Sequence, residues 1–202
     1  MELDALLRSR QSIRRFTKQA VECDVIERIL ISATRAPSAH NRQPWRFVVL
    51  TDHDDKFAVA EAMGTRLRED RRADGDPASI VEADVECSRS RITEAPVVIL
   101  VFMTMEEMDM YPDANRRDAE WTMAVQGTSM AMQNLLLAAH AAGLGACIMC
   151  APLICPDVIK TVLGTPEAWV PQALITVGKP SALRDSKPRK PLSDVVRKRR
   201  PT

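Results

Sequence analysis

An α+β fold is what this sequence predicts, on three observations. Four short runs of apolar, β-branched or aromatic residues are interleaved with about six segments of helical periodicity. The 46% apolar content over 202 residues is enough for one continuous core. No internal repeat, low-complexity tract or composition break argues for a second domain.

Taken in order, Leu3, Leu6 and Leu7 mark a short first helix that gives way to a polar segment at 10–16. Val25, Ile26, Ile29, Leu30 and Ala33 recur at helical spacing and stop before Pro37, which disfavours helix in its predecessor, so a second helix is expected over 22–35. The loop 36–44 feeds a first strand at 45–50. Two polar helices follow, 54–73 and 77–93, broken by the turn-forming Asp74-Gly75-Asp76-Pro77. Residues 96–102 read as a fully apolar strand, and a loop through Tyr111-Pro112-Asp113 leads to a long helix at 115–142, with Gly143 as its stop. A short buried strand at 146–149, a two-turn helix between Pro156 and Gly164, and a fourth strand at 172–177 complete a domain spanning 1–180. The basic arm 181–202 is too poor in apolar residues to fold by itself and should lie across another surface.

The long helix carries Met123, Ala124, Gly127, Met130, Ala131, Leu135, Ala138, Ala139 and Ala142, apolar or small residues on nearly every side. Such a helix must be covered all round, so a homodimer that packs these helices together is expected.

Charge and cysteine usage narrow the function classes. A net charge of +1 gives no global field with which to grip nucleic acid or an anionic membrane. The cationic charge sits instead in the tail, where 179–202 holds nine basic residues against Asp185 and Asp194. Five cysteines, and a start with neither a basic leader nor an apolar core, suggest a reduced, cytoplasmic protein. The apolar stretch 135–155 is interrupted by Gly143 and Gly145 and reads as a buried helix followed by a buried strand, not as a membrane span.

Several familiar motifs fail on context. Cys147-Ile148-Met149-Cys150, with Cys155 nearby, has redox or zinc spacing but no second ligand pair, so these cysteines read as buried small hydrophobes. Gly127-Thr128-Ser129 lies in the middle of a helix, where a nucleophile elbow cannot form. Gly143-Leu144-Gly145 follows a helix and precedes a strand, the reverse of the dinucleotide-binding order. Arg10, Ser12 and Arg14 are different: at alternate positions of an extended segment they point the same way, and two guanidinium forks with a hydroxyl suit a phosphate. Solvated surface charge is the competing reading, and the triplet alone weighs the two equally. Lys187-Pro188-Arg189 is a second alternating basic pair. The small-residue loop 36–45, bracketed by prolines, suits either close approach to a flat ligand or an ordinary tight connection.

Together and in this order, these segments resemble the FMN-dependent nitroreductase family over nearly the whole chain. The family's R-x-S-x-[RK] appears as Arg10, Ser12 and Arg14, which by resemblance hold the FMN phosphate and ribityl chain. Its P-S-x-x-N-x-Q-P-W appears as Pro37, Ser38, Asn41, Gln43, Pro44 and Trp45; this loop, which includes Ala39, is implied to reach the flavin bound mainly by the other subunit. The late K-x-R appears as Lys187 and Arg189, further phosphate ligands. Cys150, Ala151 and Pro152 fall where the family runs its backbone along the flavin ring, with a main-chain N–H directed at the ring nitrogen that accepts hydride; many members carry Glu at the place of Cys150. The fold so implied is a central mixed, mostly antiparallel sheet flanked by helices, in an intertwined homodimer. The arm would contribute to the flavin site and the dimer.

The implied activity transfers electrons in two steps from NADH or NADPH, through FMN, to an electron-poor small molecule such as a nitroaromatic or quinone, with no general acid, nucleophile or metal assigned. A narrower likeness, carried by 72–77, 120–126 and 150–153, is to the flavin reductase domain fused to the glutamate ligase of deazaflavin coenzyme biosynthesis, which reduces a dehydro precursor. The rival classes are a flavin carrier without turnover and a nucleic-acid or anionic-surface binder working through the basic tail 195–200.

Overall fold

The computed structural model describes residues 2–182 and 188–197. Its four strands, β1 (Trp45–Leu50), β2 (Val97–Thr104), β3 (Gly145–Met149) and β4 (Trp169–Gly178), form one sheet in the order β1-β2-β4-β3. All three ladders are antiparallel, with Val48 opposite Leu100, Ile99 opposite Ile175 and Ile148 opposite Ile175 on its other side. Among the described residues the one parallel pairing is an isolated bridge from Ser12 to Ala146, so the mixed character expected of the sheet reduces to that bridge.

Strand alternation sends two sets of apolar residues to opposite faces. On one face Val97, Ile99, Val101, Ile175 and Val177 pack against α2 (Cys23–Ala33) and α5 (Ala114–Ala141), which contribute Ile26, Ile29, Leu135 and Ala139. On the other, Val98, Leu100, Phe102 and Leu174 meet Val59 and Met63 of α3 (His53–Ala73), Ile92 of α4 (Ala78–Thr93) and Ile159 of α6 (Pro156–Leu163). β2 is buried at every position because both of its faces are covered, which accounts for its unbroken apolar run. The short helix α1 (Leu3–Ser9) lies against α5, and α7 (Leu192–Val195) is an exposed single turn within the arm.

The expected elements are present, β1 with the expected bounds and the others with bounds shifted by up to three residues. Asp52 and Asp113 cap α3 and α5 by accepting N–H bonds from Asp54 at 2.8 Å and Arg116 at 3.0 Å. β4 begins three residues earlier than expected, since Pro171, which cannot donate to a ladder, sits where the register with β2 shifts between Val101 and Phe102. Within one chain the long helix is covered on one side only. Its buried residues, Glu120, Ala124, Gly127, Thr128, Ala131, Leu135, Leu136 and Ala139, form one stripe, while Trp121 and Met130 are 44% and 39% exposed. Among the described residues, no helix is long and apolar enough to cross a membrane.

Candidate functional site

β3 is an edge strand, and the segment after α1 runs along its open side. Ile13 donates its N–H to the Ala146 carbonyl at 3.0 Å and buries its side chain, leaving Ser12 and Arg14 on either side of it exposed. The contact depends on Gly145, where an added Cβ would lie 2.5 Å from Ile13 Cβ. One buried isoleucine thus fixes an extended segment whose polar groups face outward, as the alternation of Arg10, Ser12 and Arg14 anticipates. Since the Ala146 carbonyl faces the open edge, the two-residue period turns the N–H groups of Ile148 and Cys150 the same way.

Guanidinium groups from two places, the 10–14 segment and α4, act on this edge through their charge. Burial pushes the Cys147 thiol above its ordinary range, and the charges of Arg14, Arg91 and Arg10 act on it in the opposite sense. Among the described residues none of these three arginines has a carboxylate partner, although fourteen ion pairs occur elsewhere. Arg91 was not anticipated. Its only sequence signal is a place in the last turn of α4, which reads as a cation complementing the helix dipole.

His140 of α5 ties α1 to this corner through a 2.8 Å hydrogen bond between its Nε2 and Ser9 Oγ. Burial lowers its pKa below the usual 6.5, and the neighbouring Arg10 lowers it further. The unfolded chain therefore takes up the proton more readily, and stability falls as pH drops through about 6.5 towards the folded value. Urea melts between pH 7.5 and 5 should show this loss, and His140→Gln should remove part of it; a variant with the wild-type pH slope would contradict the assignment.

The second predicted region, 36–44, lies elsewhere. It forms a short 3-10 turn at Ala39–Asn41 with His40, Asn41 and Gln43 at φ of 48°, 56° and 49°, then enters β1. Ser38 Oγ accepts the Gln43 N–H at 2.9 Å, and Ser38 packs on Gly127 of α5. Pro37 and Asn41 are exposed and Ser38 and Ala39 half-buried. β1 and β3 are opposite edges of the sheet, three strand spacings or about 14 Å apart. One chain therefore does not bring Pro37, Ser38, Ala39 and Asn41 to Arg10, Ser12 and Arg14.

The third region, Cys150, Ala151 and Pro152, continues β3 into a 3-10 turn at Ala151–Leu153, closed by Leu153 N–H to Cys150 O at 3.0 Å. Ala151 and Met149 also line a small apolar groove of about 70 Å³ against α3 and α4, with Met63, Leu67, Ile92 and Ile154 among its walls. That volume is well below the size of a site that encloses a small molecule, so the groove by itself is not a ligand pocket. Arg189 is exposed, with no ion pair among the described residues, and Lys187 lies outside them.

Cys147 and Cys155 are buried, as expected of small hydrophobes, with thiols pushed up by desolvation; Cys150 departs from that expectation, because it lies just past the end of β3 at the turn and is exposed, and all five cysteines are free. Among the described residues no cluster of His, Cys, Asp and Glu could hold a metal. The donor set at the β3 edge, with cations lacking carboxylates, an exposed hydroxyl and outward N–H groups, fits a phosphate and a polar ring edge.

A model of the nitroreductase family matches residues 7–179. A 5,6-dimethylbenzimidazole synthase of Rhodospirillum rubrum is 29% identical, covering 88% of this chain and 82% of its own. An NADH dehydrogenase of Thermus thermophilus is 31% identical, with 93% and 91% covered. Among solved structures, a nitroreductase-type protein from Desulfovibrio desulfuricans in complex with FMN has a TM-score of 0.73 at 28% identity, over 96% of this chain and 95% of that one. A BluB-like flavoprotein from Clostridium difficile shares the fold at a TM-score of 0.76 and 23% identity, over 99% and 100%. The narrower deazaflavin likeness is not carried by these relatives, and two of its three segments have structural duties: Asp76 pairs with Arg71 at the α3–α4 turn, and Glu120 is buried in α5.

Proposed function

The chain belongs to the nitroreductase family, and on that premise we propose that it is an FMN-dependent oxidoreductase. It takes electrons from NADH or NADPH and passes them to an electron-poor acceptor such as a nitroaromatic or quinone. The observation that carries this reading is the set of guanidiniums without carboxylate partners beside exposed Ser12, on the strand edge that leads into Cys150-Ala151-Pro152.

In this reading Arg10, Ser12 and Arg14, with Lys187 and Arg189 from the arm, hold the phosphate and ribityl chain. Bound FMN would supply hydride acceptance and electron delivery, the part of the chemistry that side chains cannot perform. The protein's share is electrostatic: cations and the outward N–H groups at Ile148 and Cys150 stabilise negative charge at this edge. Met63, Leu67 and Met149 give the turn at 150–152 an apolar neighbour. No side chain is assigned as acid or nucleophile, and the acceptor's proton comes from water.

The cofactor-covering loop belongs to a second copy in this proposal, because 37–44 and the β3 edge are at opposite sides of one sheet. Exposed Trp121 and Met130 on α5 give the homodimer apolar surface to bury.

The test is spectroscopic. Added FMN should bind with quenched fluorescence, and anaerobic NADH or NADPH should bleach it until a nitroaromatic, quinone or dehydro deazaflavin precursor restores the colour. A bound flavin that never bleaches leaves only a carrier; a chain that refuses FMN, or sediments as a stable monomer, overturns the proposal. FMN binding should also raise the His140 pKa, because a phosphate at Arg10 offsets one cause of its depression. Deleting 195–202 should leave all of this intact, whereas a binder that works through its tail would lose its affinity.

A further inference from the structure

We propose that Arg42, Asp109 and Glu120 form a positioning relay that sets the loop 37–44 against the cofactor held by the partner copy. It rests on the FMN reading above. The loop is strained: His40, Asn41 and Gln43 all occupy the left-handed region that non-glycine residues rarely adopt. Such conformations persist only where the surroundings over-determine them, and they concentrate at ligand-contacting segments.

What over-determines this loop is α5, at two points. Arg42 forms a half-buried ion pair with Asp109, and the Asp109 N–H donates to Glu120 Oε2 at 3.3 Å. Glu120 is only 4% exposed, a costly place for a carboxylate whose partner is a connecting segment and not a cation. Seven residues along the same face, Gly127 receives the loop directly, since a Cβ there would lie 3.2 Å from Ser38 Cβ. At the strand end, Thr104 N–H holds the Pro44 carbonyl at 2.9 Å. Arg42 Nε is buried with no partner, so the loop carries an unsatisfied donor in addition to its backbone strain. A mere connection between α2 and β1 requires none of this, whereas a loop that must present Ser38, Ala39 and Asn41 to a flat ligand at fixed height does.

Sheet topology makes the relay act in trans, which gives a test that a purely structural role would not pass. Asp109→Asn removes the ion pair while keeping shape, and Glu120→Ala removes the N–H acceptor. Each homodimer should bind FMN roughly tenfold more weakly, with an apo-protein melt close to wild type, in line with the loss of one charge-assisted contact. Glu120→Gln, which still accepts the N–H, should bind like the wild type. In mixed dimers of Asp109→Asn with Arg10→Ala/Arg14→Ala, one site combines both intact elements and the other combines both lesions. Fluorescence titration should therefore recover half the FMN sites at wild-type affinity. No recovery would place relay and cations in the same chain's site, and affinities equal to wild type in both Asp109→Asn and Glu120→Ala would remove the relay; either result overturns the proposal. Should Glu120→Ala fail to fold, Asp109→Asn and its mixed dimer decide alone. A wild-type chain that takes no FMN overturns the underlying reading instead.

Discussion

Replacing Arg10 and Arg189 together by alanine should leave a folded protein that no longer retains FMN. Arg10 sits at the C-terminal end of α1, half-buried, and its structural contribution is a backbone one, an N–H to the Leu6 carbonyl at 3.1 Å that alanine preserves. Neither arginine has a carboxylate partner among the described residues, so little native stability depends on either side chain. Each charge-assisted contact to a phosphate contributes roughly 1.5 to 3 kcal/mol, with the exposed Arg189 at the lower end because solvent and salt screen it. Together the losses amount to roughly two to four orders of magnitude in Kd. Arg8→Ala is the matched control, because Arg8 is exposed and paired with Asp4 one turn away. Fluorescence titration with FMN at two ionic strengths measures all three proteins. Unchanged affinity in the double variant would sink the anion site, and an equal loss in Arg8→Ala would show that net charge and not placement is responsible.

How much of this was legible in the sequence depended on how local each feature is. β1 was readable to its last residue because Trp45, Phe47, Val48 and Val49 are aromatic or β-branched and the run is bounded by Pro44 and Asp52. β4 was not: Pro171 argues against a strand in any local reading, and only the register shift opposite Val101 and Phe102 makes room for it. The 3-10 turns at Ala39–Asn41 and Ala151–Leu153 are too short to have a period. For the site, alternation gave Arg10, Ser12 and Arg14 their common direction, and the structure supplies the reason in buried Ile13 between them. Arg91 and the Arg42–Asp109 pair had no comparable signal. Arg42 and Asp109 are 67 residues apart in sequence, Arg91 and Cys147 belong to different elements, and a single arginine on a helix looks the same in sequence whether it faces water or an anion. On the long helix, counting apolar residues could not show which of them one chain buries: the stripe from Glu120 to Ala139 includes a carboxylate, while apolar Trp121 and Met130 stay exposed.

Gly145→Ala should cost both stability and cofactor affinity, which makes it the substitution that ties the fold to the site. In sequence Gly145 belonged to a glycine pair that fails as a dinucleotide motif; in the structure it is the floor on which the 10–14 segment rests. A Cβ at that position would meet Ile13 Cβ at 2.5 Å, Cγ1 at 2.7 Å and Cγ2 at 2.7 Å. These atoms belong to the stem of a buried, β-branched side chain, so rotation about χ1 cannot clear them and the segment must lift from the strand. Lifting it breaks the Ile13 N–H bond to Ala146 and the Ser12 bridge, and it moves Arg10 and Arg14 off the edge of β3. Overpacking of this kind costs roughly 1 to 3 kcal/mol. Chemical denaturation should show that loss in the apo protein, and FMN affinity should fall with it although no ligand-contacting residue has changed. Ile13→Gly in the same chain would remove the clashing Cβ together with both Cγ atoms and return FMN affinity towards wild type, at the expense of a buried side chain. Persistent loss of binding in that double variant would mean that Ile13 itself, and not the clearance above Gly145, holds the arginines in place.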